Sequence, residues 1–169
     1  GKFVDPADGG VRQSINPLDG SVLGTYPAAT KADVEAALDA ACAGQKVWAA
    51  MSVNQRNAIL LKAADLFEQH ADELAEMQCR EMAKPIMMCK GEVSEIAPLF
   101  RSCVAGITHD HGEVFPNNDA AGELGDLAVT VTEPLGVVAC IGPFNFPVST
   151  LTFKTAPALT MGNAIIIKA

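Results

Sequence analysis

Apolar and polar residues alternate in the first part of the chain, between Val11 and Tyr26. The alternation surrounds the segment Asn16-Pro17-Leu18-Asp19-Gly20, in which Pro presets φ, Asp favours a turn and Gly supplies a positive φ. Alternation on both sides of such a turn is typical of two paired strands. We therefore predict a β-hairpin over these residues.

Apolar residues then recur at the helical period in four stretches. Two of these stretches open with a capping-box pattern, Thr30 with Asp33 and Ser52 with Gln55. The residue before Pro85 is pushed away from helical geometry, which predicts that the third helix ends there. The predicted helices span about 30–44, 52–70, 71–83 and, with Pro98 as an awkward interior residue, 93–107.

The pattern changes again after the fourth predicted helix. Residues 109–126 are polar and rich in Gly and Asn, which predicts a long surface connection. β-branched residues then alternate from Leu127 to Thr132, and this stretch predicts a half-exposed strand. An exposed strand edge of this kind is an aggregation hazard unless another chain covers it.

The last part of the chain has the pattern of a βαβ crossover. The apolar runs Val137–Ile141 and Ala164–Ile167 predict two buried strands. Between them, Pro147 suits the first turn of a helix and Gly162 suits the C′ position that ends it. We therefore expect the α/β class. Because the chain stops at Ala169, directly after an apolar strand, we also expect it to be a fragment of a longer protein.

Composition narrows the class of protein. The chain has 169 residues, 49% hydrophobic and 19% charged, which is ordinary for a globular domain. Its net charge of -8 argues against nucleic acid or an anionic membrane as a partner, because both attract clustered Lys and Arg. Five scattered cysteines without a C-x-x-C pair fit reduced thiols, and no stretch is long and apolar enough for a membrane span. We expect a soluble, cytoplasmic protein.

The loop Gly142–Pro147 is the first candidate for chemistry, because ligands of open α/β sheets bind at the carboxyl ends of the strands. Asn145 is its only side chain that can both donate and accept hydrogen bonds. An oxyanion near Asn145 could receive an N–H from its amide and gain from the positive end of the next helix. The side-chain oxygen could instead cap that helix, and the spacing alone favours this capping role.

Other candidate residues are less specific. Lys168 should emerge at the same edge, where a cation can bind phosphate or ribose hydroxyls, but a solvated Lys at a strand end fits equally well. The sequence has neither a G-x-G-x-x-G motif nor a phosphate-binding loop. Cys140 lies in a predicted buried strand, which is typical of a small hydrophobe and not of a nucleophile. His109-Asp110-His111 lacks a third ligand pattern, so we expect no metal site.

Short motifs occur in order along most of the chain, from Ile15 onward. The first is Asn16-Pro17 with Asp19-Gly20 in the predicted hairpin. The others are Trp48, Arg56, Leu66, Glu73-Leu74, Lys84-Pro85, Glu133-Pro134-Leu135-Gly136-Val137-Val138, Pro143-x-Asn145-Phe146-Pro147, Ala156-Pro157-Ala158-Leu159 and Gly162-Asn163. Together they resemble the N-terminal portion of the aldehyde dehydrogenase superfamily.

The resemblance implies a Rossmann-like cofactor-binding domain with three αβα layers. Residues 1–126 would form its N-terminal hairpin and helical part, 127–135 an oligomerisation arm strand, and 136–169 its first βαβ unit. The implied reaction is oxidation of an aldehyde to a carboxylic acid with NAD or NADP, through a cysteine thiohemiacetal and a thioester. In this family the nucleophilic cysteine, the general-base glutamate and the catalytic domain lie downstream, so we expect residues 1–169 alone to be inactive.

The resemblance also implies roles for residues of the crossover. Asn145 matches the family's side-chain oxyanion donor, which favours this role over the cap. Lys168 matches the residue that holds the adenosine ribose. The residues whose backbone would line the cofactor cleft are Ile141, Gly142, Pro143 and Phe144.

Three residues depart from the family pattern: Phe144 stands where many members have Trp, Ala83 replaces a Gly, and Ala169 replaces the Pro after the implied ribose-binding Lys. The implied partners are a small-molecule aldehyde and further copies of the chain, in a homodimer or homotetramer. Two alternatives stay open. One is a CoA-acylating or phosphorylating relative, in which another group attacks the thioester, and the other is a non-catalytic binding module.

Overall fold

The predicted hairpin opens the fold. The structure is a computed structural model that describes residues 4–109, 112–118 and 124–168. Strands β1 (Val11–Ile15) and β2 (Val22–Pro27) pair antiparallel. In the turn, the N–H of Gly20 donates to the carbonyl oxygen of Asn16 over 2.9 Å, and Gly20 has a φ of +75°. Glycine adopts this left-handed angle without a Cβ clash. The predicted β-hairpin is confirmed.

Both predicted capping boxes form. Helix α1 (Lys31–Ala50) begins after Thr30 and helix α2 (Val53–Gln69) begins after Ser52. Each hydroxyl accepts a hydrogen bond from the N–H three residues on, and the side chain at that position accepts one from the cap's own N–H. These reciprocal bonds satisfy donors that a helix start leaves unpaired.

The predicted end of the first helix at Gly44 is wrong, because α1 continues to Ala50. A glycine inside a helix costs about 1 kcal/mol relative to alanine, which neighbouring packing readily offsets. The extension carries Trp48, which packs against the core and hydrogen-bonds Leu159. Tertiary packing thus outweighs the local signal to stop.

Helix α3 (Ala71–Met82) ends where the sequence predicts, just before Lys84-Pro85. Ala83 follows it with a φ of 54°, in the left-handed region. This conformation turns the chain out of the helix at a position where a Cβ is disfavoured, and where glycine would fit without strain.

The single helix predicted over 93–107 is wrong in its start and its continuity. Two helices occupy this region, α4 (Ile86–Ser94) and α5 (Ile96–Ile107). Pro98 therefore lies in the first turn of α5, where the missing N–H has no intrahelical acceptor to lose. The proline marks a helix start and not a kink.

The surface connection predicted over 109–126 contains strand structure. Strand β3 (Val114–Asn118) pairs antiparallel with β4 (Leu124–Val129), so this part of the prediction is wrong. The predicted strand Leu127–Thr132 is also displaced, since β4 begins earlier and ends at Val129. Neither segment has a strong sequence pattern, so the pairing between β3 and β4 determines where each strand begins and ends. Residues 110–111 and 119–123 of the predicted connection lie outside the described residues.

The predicted crossover is confirmed. Strand β5 (Val137–Ile141) pairs parallel with β6 (Ala164–Lys168), and helix α6 (Pro147–Thr160) connects them. Pro147 occupies the first turn of α6, and Gly162 follows its end with a φ of +88°.

The predicted full burial of the two crossover strands is wrong. Cys140 is the one buried residue of β5, and Ile141 and Ile167 are exposed. The physical reason is that a parallel strand becomes fully buried only when strands flank it and helices cover both faces. Among the described residues, β5 and β6 form a sheet of two strands.

The hydrophobic core lies among the helices. Helix α6 contacts both crossover strands and also α5, α2 and α4, while α1 contacts β6 and β5. Phe67 and Phe100 stack in this core with ring centroids 5.7 Å apart. The fully buried or nearly buried apolar residues of the cluster are Leu60, Ala64, Ala75, Cys89, Val93, Ile96, Ala97, Phe100, Val104 and Ala156. The arrangement is of the α/β class, as the sequence pattern predicts, and it is Rossmann-like, as the resemblance implies.

No helix within the described residues combines the length and the apolar composition that crossing a bilayer requires.

Candidate functional site

The loop between β5 and α6 places Asn145 at the carboxyl end of a parallel strand. Lys168, the last residue of β6, pairs in register with Ile141, the last residue of β5. The two candidate polar residues are therefore brought to the same edge of the sheet, as the crossover predicts. Edges of this kind, at the carboxyl ends of parallel strands, are where open α/β sheets bind ligands.

Asn145 does not cap helix α6. The N-cap residue is Phe146, and no side chain of the loop makes a capping hydrogen bond. The capping role that the spacing favoured is therefore wrong. Among the hydrogen bonds of the described residues, Asn145 contributes its backbone carbonyl oxygen, and its exposed side-chain amide takes part in none.

Glu92 caps α6 from a neighbouring helix. Its Oε1 accepts hydrogen bonds from the N–H groups of Val148 at 3.2 Å and Ser149 at 3.0 Å, and from the Ser149 hydroxyl at 3.1 Å. Pro147 has no N–H, and Phe146 has no side-chain acceptor. The carboxylate therefore accepts hydrogen bonds from the free donors at the helix start. Its negative charge also interacts favourably with the positive end of the α6 dipole.

Lys84 links this cap to the Asn145 loop. Its Nζ lies 2.5 Å from Glu92 Oε2 and 3.3 Å from the backbone oxygen of Asn145. The same ammonium lies 3.8 Å from the centroid of the Phe146 ring, a cation–π contact. The side chains of the ion pair are 9% and 2% exposed, so both charges are shielded from water. Gln78 Nε2 also donates to Glu92 Oε2.

The pKa of Glu92 lies below its ordinary value. Burial by itself raises this pKa, but hydrogen bonds from Lys84, Ser149 and Gln78 to the carboxylate outweigh the burial. Glu92 is therefore ionised at neutral pH, and its charge is matched by Lys84.

Gly142 allows the loop to pack tightly on α6. A Cβ at this position would lie 2.9 Å from Leu151 Cγ and 3.3 Å from the backbone oxygen of Pro147. Distances of this kind are too short for ordinary van der Waals contact. Gly142 therefore brings the end of β5 close to the first turns of α6.

The remaining loop residues present an apolar surface to solvent. Ile141 is 59% exposed and Phe144 is 88% exposed, and Pro143 is exposed as well. Lys168 is exposed at the end of β6, beside this surface. An apolar face with a cation at its rim suits a ligand that combines flat rings with hydroxyl or phosphate groups.

The cysteine and histidine candidates do not add to this site. Cys140 is buried, and burial, slightly opposed by Lys154, raises the pKa of its thiol, which disfavours the reactive thiolate. The described residues contain no group of three or more side chains that could hold a metal ion. Asp110 and His111 of the predicted histidine segment lie outside the described residues, as does Ala169.

Sequence reasoning missed Glu92, Gln78 and Ser149. The sequence pattern could have indicated Glu92, because this charged residue lies at helical spacing among three apolar residues that are buried, Cys89, Val93 and Ile96. A carboxylate on such a stripe requires a partner. The prediction overlooked it because the first turns of α4 were not recognised as helix.

Residues 3–169 match the model of the aldehyde dehydrogenase family. The structure is similar to NADP-dependent glyceraldehyde-3-phosphate dehydrogenase from Bacillus halodurans C-125, complexed with NADP, at 32% identity and a TM-score of 0.92, covering 98% of this chain and 35% of that chain. It is similar to aldehyde dehydrogenase from Brucella melitensis biovar abortus 2308 at 34% identity and a TM-score of 0.91, covering 98% and 34%. It is also similar to PnpE from Pseudomonas sp. WBC-3 at 36% identity and a TM-score of 0.89, covering 99% and 34%. A PnpE structure contains nicotinamide adenine dinucleotide. The chain spans about a third of the length of these solved chains.

Proposed function

The chain belongs to the aldehyde dehydrogenase family, and we propose that the whole protein carrying it oxidises an aldehyde to a carboxylic acid with NAD or NADP. The observation that carries the proposal is the position of Asn145. Its side-chain amide is exposed at the carboxyl edge of the sheet, close to the start of α6, and no hydrogen bond within the described residues occupies it. An amide in this position is accessible to a ligand and can donate a hydrogen bond to a negatively charged oxygen, which supports the proposal.

The proposed reaction begins at the nucleophilic cysteine, which in this family belongs to the catalytic domain, downstream of the region that matches residues 3–169. Its thiolate forms a C–S bond to the aldehyde carbon, and the carbonyl electron pair moves onto oxygen. The amide of Asn145 donates a hydrogen bond to that oxyanion. NAD or NADP, when bound, supplies the acceptor for the hydride that leaves the same carbon. A thioester results, and water cleaves its C–S bond to release the carboxylate and restore the thiol.

The residues at the sheet edge fit a dinucleotide. The backbone of Ile141, Gly142, Pro143 and Phe144 would line one wall of its cleft, where the exposed apolar surface suits flat rings. Lys168 would bind ribose hydroxyls with its ammonium group. The solved relatives support either NAD or NADP, because one contains NADP and another nicotinamide adenine dinucleotide.

The proposal includes further copies of the chain as partners. Leu127 and Val129 of β4 are exposed, and Val131 and Leu135 beyond it are exposed as well. An apolar strand edge of this kind is protected when a second subunit pairs with it. A homodimer or homotetramer, in the cytoplasm where the five free cysteines stay reduced, satisfies this requirement. A monomer in analytical ultracentrifugation of the whole protein at micromolar concentration contradicts the assembly.

The test of function uses the whole protein and the variant Asn145→Ala. A panel of aliphatic, aromatic and phosphorylated aldehydes is assayed by the absorbance of the reduced dinucleotide. We expect the wild type to be active on at least one aldehyde and N145A to lower kcat by about 10²–10³. Asn54→Ala, which removes an exposed amide on α2, is the matched control and should leave kcat unchanged.

Two outcomes contradict the proposal. One is a wild-type protein that binds neither dinucleotide and oxidises no aldehyde in the panel. The other is an N145A variant with the kcat of the wild type. Analysis of the product in the presence of CoA or phosphate separates the alternatives, because an acyl thioester or acyl phosphate replaces the free carboxylate in a CoA-acylating or phosphorylating relative.

A further inference from the structure

We propose that Lys84 and Glu92 are positioning residues for Asn145, because together they hold the backbone of the loop that carries its amide. This inference rests on the proposed function of Asn145 as an oxyanion donor. Glu92 lies on α4, and Lys84 lies in the connection before it. Both residues are therefore outside the βαβ crossover that carries Asn145.

The first anchor lies after Asn145 in the chain. Glu92 binds the first free N–H groups of α6, those of Val148 and Ser149. Because Phe146 provides no capping acceptor, the direction in which α6 leaves the loop depends on a carboxylate from another helix. Moving this carboxylate moves the start of α6.

The second anchor acts on Asn145 itself. The Lys84 ammonium donates to the backbone oxygen of Asn145 at 3.3 Å and lies 3.8 Å from the centroid of the next residue's ring, that of Phe146. Both contacts fix the peptide between these two residues. The orientation of that peptide sets the position of the Asn145 Cα, which belongs to the same plane and from which the side chain starts.

The two anchors form one unit. The same ammonium lies 2.5 Å from Glu92 Oε2, while Glu92 Oε1 faces α6. One buried ion pair therefore connects the loop carbonyl to the helix start. Replacing a buried ion pair by well-packed apolar residues of similar volume is often neutral for stability, so we infer that this pair serves to set direction and distance. A reacting oxygen demands this geometric control, because a misplacement of about 1 Å can cost about a hundredfold in rate.

The chain before Asn145 is also fixed by contacts. β5 pairs with β6, and Gly142 packs on Leu151 of α6. The side chain of Asn145 thus projects from a short segment that is fixed at both ends. The backbone anchors therefore fix the point from which its amide reaches toward a ligand.

The test is a double-mutant cycle in the whole protein, with Lys84→Met, Asn145→Ala and the combined variant. Met has a similar length and removes the charge. We expect K84M to lower kcat by about ten- to a hundredfold, while the KM for aldehyde and the Kd for the dinucleotide change less than about twofold. In the N145A background, K84M should lower kcat no further, because the residue through which it acts is gone.

The matched control is Lys90→Met. Lys90 lies on α4 and pairs with Asp72 at 2.8 Å, but its ion pair is exposed and touches no residue of the Asn145 loop. The variant removes the same charge from the same region. K90M should leave kcat unchanged in each background, so that it equals the wild-type value alone and the N145A value in the combined variant.

Two results overturn the inference: a K84M kcat equal to that of the wild type, or an equal fold-loss with and without the Asn145 amide, which marks a general structural effect. If circular dichroism shows K84M to be unfolded, Glu92→Gln takes its place under the same criteria, since Gln keeps an oxygen acceptor for α6. The proposed function fails separately, when the wild type is inactive or N145A alone has no effect.

Discussion

The indole Nε1 of Trp48 donates a hydrogen bond of 2.8 Å to the backbone oxygen of Leu159. This bond ties the last turns of α1 to the end of the crossover helix α6. Gln45 adds a second link from α1, to the backbone oxygen of Gly162 at 3.3 Å. The extension of α1 beyond Gly44 therefore fixes the first long helix against the βαβ unit that carries the candidate site.

Replacing Trp48 with Phe tests the weight of this bond. Phe keeps an aromatic ring but loses the N–H, so we expect the free energy of unfolding of the whole protein to fall by about 1 kcal/mol. Urea unfolding measures the change. Val47→Ala, at a neighbouring exposed position of the same helix, is the control and should change stability by less than about 0.5 kcal/mol. Equal effects of the two variants contradict a specific role for the bond.

Replacing Gly142 with Ala tests the tight contact between the loop and α6. The new Cβ would lie 2.9 Å from Leu151 Cγ, so either the loop or the helix must shift. We expect a loss of stability of about 1–3 kcal/mol and a fall in kcat, because the shift displaces Asn145. Both are measured on the purified whole protein.

Two further variants sharpen the Gly142 prediction. Leu151→Ala in the G142A background removes the clashing atoms and should restore part of the kcat. Gly44→Ala places a Cβ where nothing lies within 4 Å, and should be neutral or slightly stabilising. If G142A and G44A behave alike, the close packing at Gly142 is not required.

The lowered pKa of Glu92 predicts an acid-dependent loss of stability. Its ordinary pKa is 4.5, and the folded value lies below that. As pH falls below about 4.5, the unfolded chain takes up a proton on this residue before the folded chain does, which favours unfolding. The contribution of Glu92 is therefore present above this pH and disappears as pH falls through the folded pKa.

A comparison of the wild type with Glu92→Gln isolates this effect, since Gln does not titrate. The difference between their free energies of unfolding should be largest above about pH 5 and should shrink below about pH 4.5. Chemical denaturation at a series of pH values measures it. A difference that is constant over this range rules out the charged cap.

The buried Cys140 thiol should resist alkylation. Burial raises its pKa, and its side chain has no access to solvent. Iodoacetamide treatment of the native whole protein at neutral pH, followed by peptide mass spectrometry, should leave Cys140 unmodified. The same treatment in guanidinium chloride is the control and should modify it. Rapid native labelling contradicts the burial of β5 at this residue.

The parts of the fold that the sequence predicted correctly depend on local interactions. The hairpin turn needs Pro17 and the positive φ of Gly20, and both helix starts need a hydroxyl with a partner three residues on. The crossover follows from Pro147 and Gly162 at the two ends of one apolar helix. Each signal acts over a few residues, so it can be recognised without knowing what packs where.

The errors lie where distant residues decide the outcome. α1 continues through Gly44 because Trp48 packs against the core, and β3 forms because β4 pairs with it. The helix limits around Pro98 depend on how α4 and α5 pack separately against their neighbours. In each case tertiary contacts outweigh a local preference of about 1 kcal/mol or less.

The candidate site divides in the same way. The sequence by itself determined that Asn145 and Lys168 share one edge of a parallel sheet, because a βαβ crossover brings the carboxyl ends of its strands together. Only the tertiary structure decided that Glu92, and not Asn145, caps α6, and that Lys84 contacts the Asn145 loop. The physical reason is that a buried carboxylate must find donors wherever the fold supplies them, and the donors on α6, Val148 and Ser149, lie more than fifty residues away from Glu92 along the chain.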